Sequence, residues 1–278
     1  MTGLFIPECL TPLAFTPLYA SLCEEHRLSY NRLHGRYFLE QTIFFEQIMG
    51  RPVLEALHGL APSEAVRKKI AEFLSEENAH SSWFRSLLRE VMPQTYDKRD
   101  FVLLAAPAWS RILMEWSARR VRSLPAMLWL QLIAEERAIY FGREFLAARH
   151  QLDDRFFTVQ QRHMADEVGH VRSDESFIQW LWPATPSWLR HTNARFLQWA
   201  LCEFFYLPKR SGWRVVDAWL HDHPELQERR PAVRRAWQEL GMNPDFLATL
   251  YPKKHLTRTL ALAADWPELA FFNRFFSD

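Results

Sequence analysis

The stretch HMADEVGH at residues 163 to 170 sets His163, Glu167 and His170 at successive spacings of four and three. On an α-helix those steps keep the three side chains within about 60° of azimuth, so one face carries two imidazoles and a carboxylate. Such a face is either a solvated stripe or a set of ligands aimed into a core. The zincin pattern H-E-x-x-H does not apply, because its glutamate adjoins the first histidine and its histidines lie four apart. The remaining ligand reading is a dinuclear centre inside a helical bundle. It takes one Glu from each of two helices and a Glu-x-x-His from each of two others. A chain with a second such motif is thereby obliged to bring four long helices together.

The rest of the sequence can supply those helices. There are only 8 glycines in 278 residues, and no Asn-Gly or Asp-Gly hairpin signal occurs. Apolar residues recur at three and four over long windows broken mainly by prolines. This predicts helices over 17–58 (with a possible break at Gly50-Arg51-Pro52), 63–92, 101–120, 123–150, 153–181 and 186–206. Shorter ones are expected at 212–221, 225–240 and 244–275. The expected fold is all-α: a four-helix bundle core over about 28–181, with additional N-terminal helices and a helical C-terminal extension over about 186–278, in a single domain.

A balance of 34 Lys plus Arg against 33 Asp plus Glu gives no pull toward nucleic acid or an anionic membrane. The basic runs SARRVR and RRPAVRR read as solvated helix faces. Cys9, Cys23 and Cys202 are few, odd in number and unpatterned, which speaks for a reducing compartment. The N-terminus lacks the features of a signal peptide, and the most apolar segments fall short of a membrane span. The expected location is the cytoplasm.

Three Glu-x-x-His pairs occur: Glu55 with His58, Glu77 with His80, and Glu167 with His170. The first lies just before Gly59, where a helix should end, and reads as accidental. The second lies mid-helix, with Phe73, Leu74 and Phe84 one turn away, as a ligand face in an apolar core should. Between the two remaining motifs, IAEERAIYF offers Glu135 and Glu136. Leu132, Ile133, Ile139 and Tyr140 surround Glu136, so burial favours it, whereas Glu135 looks toward Gln131 and Ala138. Before Glu77, GRYFLEQTIFFEQ offers Glu40, beside Tyr37, Ile43 and Phe44, or Glu46, beside Thr42, Ile43 and Met49. Periodicity leans slightly to Glu40.

Four carboxylates converging in a dry core would repel one another unless protonated or neutralised by cations. Carboxylates mixed with imidazoles suit iron or manganese, and no cysteine lies near these motifs. Glu76 and Asp166, just before the paired residues, are placed to accept the second ring N–H of the histidine on the opposite helix. Of the other histidines, His221 and His223 flank Asp222 in a pre-proline turn and His255 sits in PKKHLTRTL. All three read as surface or packing residues.

On EENAH at 76–80 and HMADEVGH at 163–170, with single glutamates before and between them, the chain resembles the p-aminobenzoate N-oxygenase family of ferritin-like di-iron oxygenases. The resemblance covers roughly residues 30–180, and the third histidine is its most specific part. It implies Glu40, Glu77, His80, Glu136, His163, Glu167 and His170 as iron ligands. Glu77 and Glu167 would bridge two iron ions; Glu40 and His80 would complete one, and Glu136, His163 and His170 the other. It implies no catalytic side chain beyond these ligands. It also implies O2 as co-substrate, an external electron donor such as a reductase or ferredoxin, and a small-molecule amine oxidised to a hydroxylamine or, by repetition, a nitro compound. A homodimer is the expected assembly. Alternatives on the same scaffold are an oxygenase acting on an aliphatic amine or a C–H bond, and a metal-binding protein without oxygenase chemistry. A radical-bearing tyrosine would have to be Tyr37 or Tyr140.

Overall fold

The computed structural model describes residues 3–202 and 209–277, and among them helices alone form the regular structure. The bundle consists of α1 (Glu24–Phe44), continued through a π-helical turn (Phe45–Gly50) into α2 (Arg51–Leu60), then α3 (Glu64–Val91), α5 (Ala126–Ala147) and α6 (Asp154–Ala184). Helix α4 (Ala108–Ala118) crosses outside, against the π turn and α2. Beyond the bundle come α7 (Ser187–Ala200), α8 (Lys209–Asp222), α9 (Arg230–Leu240), α10 (Pro244–Leu250) and α11 (Thr257–Ala263). This is an all-α, ferritin-like bundle with helices added at both ends.

The element ends follow local chemistry. Ser63 and Asp153 cap α3 and α6 by accepting from the amides of Val66 and Arg155, which satisfies one of the orphan N–H groups at each start. The π turn precedes Pro52, whose missing N–H and bulky ring cannot continue an α-helical ladder. There the chain widens, and the Arg51 amide donates to the carbonyl of Glu46, five residues back.

Three expected spans differ. The first helix is divided at residues 21–23 and carries the π turn before the anticipated break. Residues 101–107 are a loop rather than the start of a helix, because the amides of Val102, Leu103 and Leu104 turn inward to a buried carboxylate. The segment 244–275 is several short pieces, with Pro252 and Pro267 preventing one continuous helix. The last residues of the expected helix 186–206, from 203 on, lie outside the described residues.

The largest core cluster joins α2, α3, α5, α6 and α7 to the C-terminal turns, with Trp129, Trp182 and Phe272 fully buried at its centre. A second cluster seals α8 and α9 onto the first half of α1 through Tyr30, Trp219 and Trp237. Among the described residues, no helix is long and apolar enough to cross a membrane.

Helices α5 and α6 approach closely where Gly142 faces Met164: a β-carbon on Gly142 would fall 2.9 Å from Cβ of Met164 and closer still to its sulfur. That contact sets the spacing of the two helices that carry Glu135 and the His163, Glu167 and His170 face. Gly142→Val should therefore overpack the interface and lower stability by about 1–3 kcal/mol. A denaturation midpoint equal to the parent's would show that α5 and α6 can separate freely.

Candidate metal centre

Seven side chains from the π turn, α3, α5 and α6 meet in the bundle: Glu46, Glu77, His80, Glu135, His163, Glu167 and His170. Their donor atoms form overlapping groups, Glu46–His80–His163, Glu77–His80–His170 and Glu135–Glu167–His170, each within 4.8 Å. His163 Nε2 lies 2.8 Å from Oε1 of Glu167 and 3.2 Å from Oε1 of Glu46. His80 Nδ1 faces Oε1 of Glu167, Glu77 and Glu46 at 3.8, 3.9 and 4.0 Å. On the other side His170 Nδ1 lies 3.1 Å from Oε2 of Glu167, 3.2 Å from Oε1 of Glu77 and 3.8 Å from Oε2 of Glu135. Glu167 thus offers one oxygen to each half of the cluster, and Glu77 faces both His80 and His170.

His80 Nδ1 is buried without a hydrogen-bond partner, and Glu46 Oε1 and Glu167 Oε1 are buried facing one and the same donor, His163 Nε2. Buried polar atoms are ordinarily paired, and an imidazole nitrogen with no partner beside two carboxylate oxygens that share a single donor fits a common cation better than these groups fit one another. The donor set of four carboxylates and three imidazoles suits a hard to borderline divalent metal.

The outward nitrogens are fixed reciprocally between α3 and α6. His80 Nε2 lies 3.0 Å from Asp166 Oδ2, and His170 Nε2 lies 3.0 Å from Glu76 Oε2. Each carboxylate accepts the outer ring N–H and turns Nδ1 toward the centre. Phe73 stacks on His170 at 3.9 Å. Glu46 is oriented by Ser81, which donates to its Oε2 at 2.6 Å and accepts from Gln47 at 2.9 Å.

Charge is distributed unevenly among these groups. Burial pushes the carboxyls of Glu77 and Glu135 well above the usual range, Glu46 adding to the first and Glu167 to the second. Burial opposes charge on Glu167 too, but the His163 imidazolium holds its carboxyl well below that range. For His163 burial works against the proton, yet Glu167 and Glu46 prevail and raise it to about 10. His170 is raised against burial by Glu135 and Glu167, while burial and then His163 lower His80.

Five of the seven expected ligands, Glu77, His80, His163, Glu167 and His170, come together here; Glu40 and Glu136 do not. Glu40 is fully buried but accepts from Tyr96 Oη at 2.6 Å and from the amides of Val102, Leu103 and Leu104 at 2.7–3.1 Å. Glu136 accepts from the amides of Arg258 and Thr259 at 2.8 and 2.9 Å, at the start of α11. Glu46 and Glu135 stand in the cluster in their places. The expected partition changes as well: His163 groups with Glu46 and His80, not with His170. Seven residues separate the two histidines on α6, about 10 Å of axial rise, so Glu167 lies between them and each serves its own side.

Other candidates resolve simply. Glu55 pairs with Arg51 on an exposed helix face. Tyr140 stacks on His255, and Tyr37 borders a side cavity. Sequence reasoning had no hold on Ser81 and Gln47. Pro52, six residues beyond Glu46, was the available signal that the helix changes phase.

The cluster opens on a cavity of about 720 Å³, counting its open mouth. Glu46, Glu77, Glu135 and His163 form one wall, Phe38, Phe45 and Phe141 supply aromatic surface, and Gln131, Gln160 and Arg137 supply polar groups. Gln131 is 2% exposed, and neither its amide oxygen nor its nitrogen has a partner.

The profile of the p-aminobenzoate N-oxygenase AurF family matches residues 2–241 of the chain. No curated protein matches it at a significant level.

Replacing Glu40 and Glu46 in turn separates their roles. Glu40→Ala should strand one hydroxyl and three amides, at roughly 2–4 kcal/mol of stability, without changing the metal content. Glu46→Ala should lower metal content with little loss of stability, as read by metal analysis beside chemical denaturation. The opposite assignment of effects would return Glu40 to the ligand set.

Protons and metal ions compete for the same atoms. His163 and His170 in the metal-free protein hold protons above neutrality, and Glu77 and Glu135 are raised, so metal uptake must expel them. Affinity should rise with pH, and uptake at pH 7 should release about two or more protons per chain, measured with an indicator dye. Uptake without proton release would contradict this electrostatic picture.

Proposed function

The chain belongs to the p-aminobenzoate N-oxygenase AurF family, and from that premise we propose that it is a di-iron monooxygenase acting on a primary arylamine with O2. The product would be a hydroxylamine and, with further turnover, a nitroso or nitro compound in natural-product biosynthesis. The observation that carries this reading is the seven-residue cluster whose donor atoms converge beside an aromatic cavity. Glu46, His80 and His163 would hold one iron, Glu135 and His170 the other, with Glu77 and Glu167 shared. When bound, the two ions supply the electrons for reducing O2 and the positions at which it reacts.

The chain's own residues supply the setting. Phe38, Phe45 and Phe141 offer flat apolar surface to an aryl ring and keep water from it. The unpartnered amide of Gln131 and the amide nitrogen of Gln160, with Nε of Arg137, offer hydrogen bonds to polar substituents on that ring. Arg137 is held by the rings of Phe141 and Tyr251 at 4.8 and 4.5 Å and donates to Tyr251 Oη at 3.1 Å. The Arg258 guanidinium faces Glu175 at 3.6 Å.

A cytoplasmic enzyme served by a reductase or ferredoxin fits this reading. The exposed stripe of Trp109, Ile112 and Trp116 on α4 supports a homodimer. A single domain is supported by the Glu136 contacts that tie α11 to α5.

Purified protein should bind about two irons per chain, one for each half of the ligand cluster. Reduced and mixed with O2 and a panel of anilines, it should yield hydroxylamine or nitro products detectable by mass spectrometry. Turnover of a C–H substrate with every aniline left untouched would overturn the amine assignment, and protein that takes up no iron would overturn the centre itself.

A further inference from the structure

Away from the bundle centre, two histidines and a glutamate converge where the start of α1 meets the turn after α8. His26 Nε2 and His223 Nδ1 lie 2.8 and 3.1 Å from the same oxygen, Oε1 of Glu225. The two rings stand nearly perpendicular, with centroids 4.8 Å apart, and all three donor atoms fall within 4.8 Å of one another. We propose that His26, His223 and Glu225 form a second, mononuclear site for a zinc-class divalent cation.

The chemistry and the separations both fit. Two imidazoles and one carboxylate are a common ligand set for zinc, leaving a fourth position to water. Ligands about 2.1 Å from a tetrahedral ion lie roughly 3.4 Å apart, so each nitrogen would need to draw back from Oε1 of Glu225 by about half an ångström or less, and all three atoms already lie within 4.8 Å of one another. Both imidazole side chains are largely covered, at 17% and 12% exposure, whereas Glu225 at 58% leaves an approach from solvent.

The scaffold beneath is rigid, so the site is largely preorganised. Trp219, 1% exposed, donates through Nε1 to the carbonyl of His26 at 3.0 Å and packs edge-on against Tyr30. Gln227 donates to the carbonyl of Leu220 at 2.8 Å and fixes the turn that carries His223 and Glu225. His26 is near the start of the chain and the other two ligands are almost 200 residues later. A cation bound here would therefore clamp the C-terminal helices onto α1.

The experiment is a calorimetric titration of Zn2+ into protein whose bundle centre is already loaded with iron. One Zn2+ per chain should bind, and the melting temperature should rise with it. Both His223→Ala and Glu225→Gln should weaken that binding by roughly a hundredfold and abolish the thermal shift. His221→Ala, two residues from His223 but outside the cluster, should behave as the parent. Because none of these residues touches the bundle centre, iron content and amine oxidation should be unchanged in every variant. Zinc binding that persists undiminished in a His26→Ala/His223→Ala double variant, or no zinc binding in the parent, would overturn the proposal.

Discussion

Four carboxylates and three imidazoles packed into a bundle core are the constraint around which this chain is arranged. In a dry interior such groups cannot all be charged and unpaired, because desolvating each ion costs several kcal/mol. The apo arrangement resolves the conflict in part by protonation. Glu167 keeps its charge against two imidazolium neighbours, while Glu77 and Glu135 favour their neutral forms. A pair of divalent cations would neutralise the four carboxylates and would give His80 Nδ1 the partner it lacks. The long helices, their caps and the close approach of Gly142 to Met164 then serve one end: holding seven donors that come from four separate backbone segments.

Two further buried glutamates show what the same side chain does when no cation is at hand. Glu40 collects three consecutive amides and a phenol, and Glu136 collects the first amides of α11. Each carboxylate meets its desolvation cost with N–H groups that would otherwise be orphaned at a loop or a helix start. Burial of a glutamate on a helical apolar face therefore identifies a residue with important partners, but it does not say whether they are metal ions or amides.

That ambiguity explains which parts of the site could be read from the sequence. Spacing on a straight helix gave His163, Glu167 and His170 a common face, and the matching Glu77–His80 pair followed from the same rule. The first glutamate was misread because an α-helical period was carried through Phe45–Gly50. There a π turn changes the phase, so Glu46 faces the centre while Glu40 faces the 97–107 loop. Glu135 was passed over because large apolar neighbours were taken as the mark of the inner face. Around a cavity the reverse holds: Ala134, Ala138 and Gln131 leave space, and the carboxylate beside them is the one that meets the centre. The bulky face of α5 is a packed core; the small and polar face borders the cavity and the cluster.

The same distinction bears on how a shared scaffold acquires its own substrate. The ligand cluster lies entirely within residues 2–241, the region that matches the family. Residues beyond it return to the bundle: Phe246, Thr249 and Leu250 border a side cavity that shares Phe38, Gln41, Arg137 and Phe141 with the one beside the cluster. Tyr251 then covers Arg137, and the two amides held by Glu136 fix where this segment leaves α5 again. Metal ligands cannot move without losing the centre, whereas a wall built from short C-terminal turns can change shape while Glu136 keeps it attached. Selectivity among amines is therefore expected to reside in the contact between α5 and this tail, at Arg137 and Tyr251, rather than in the ligands themselves.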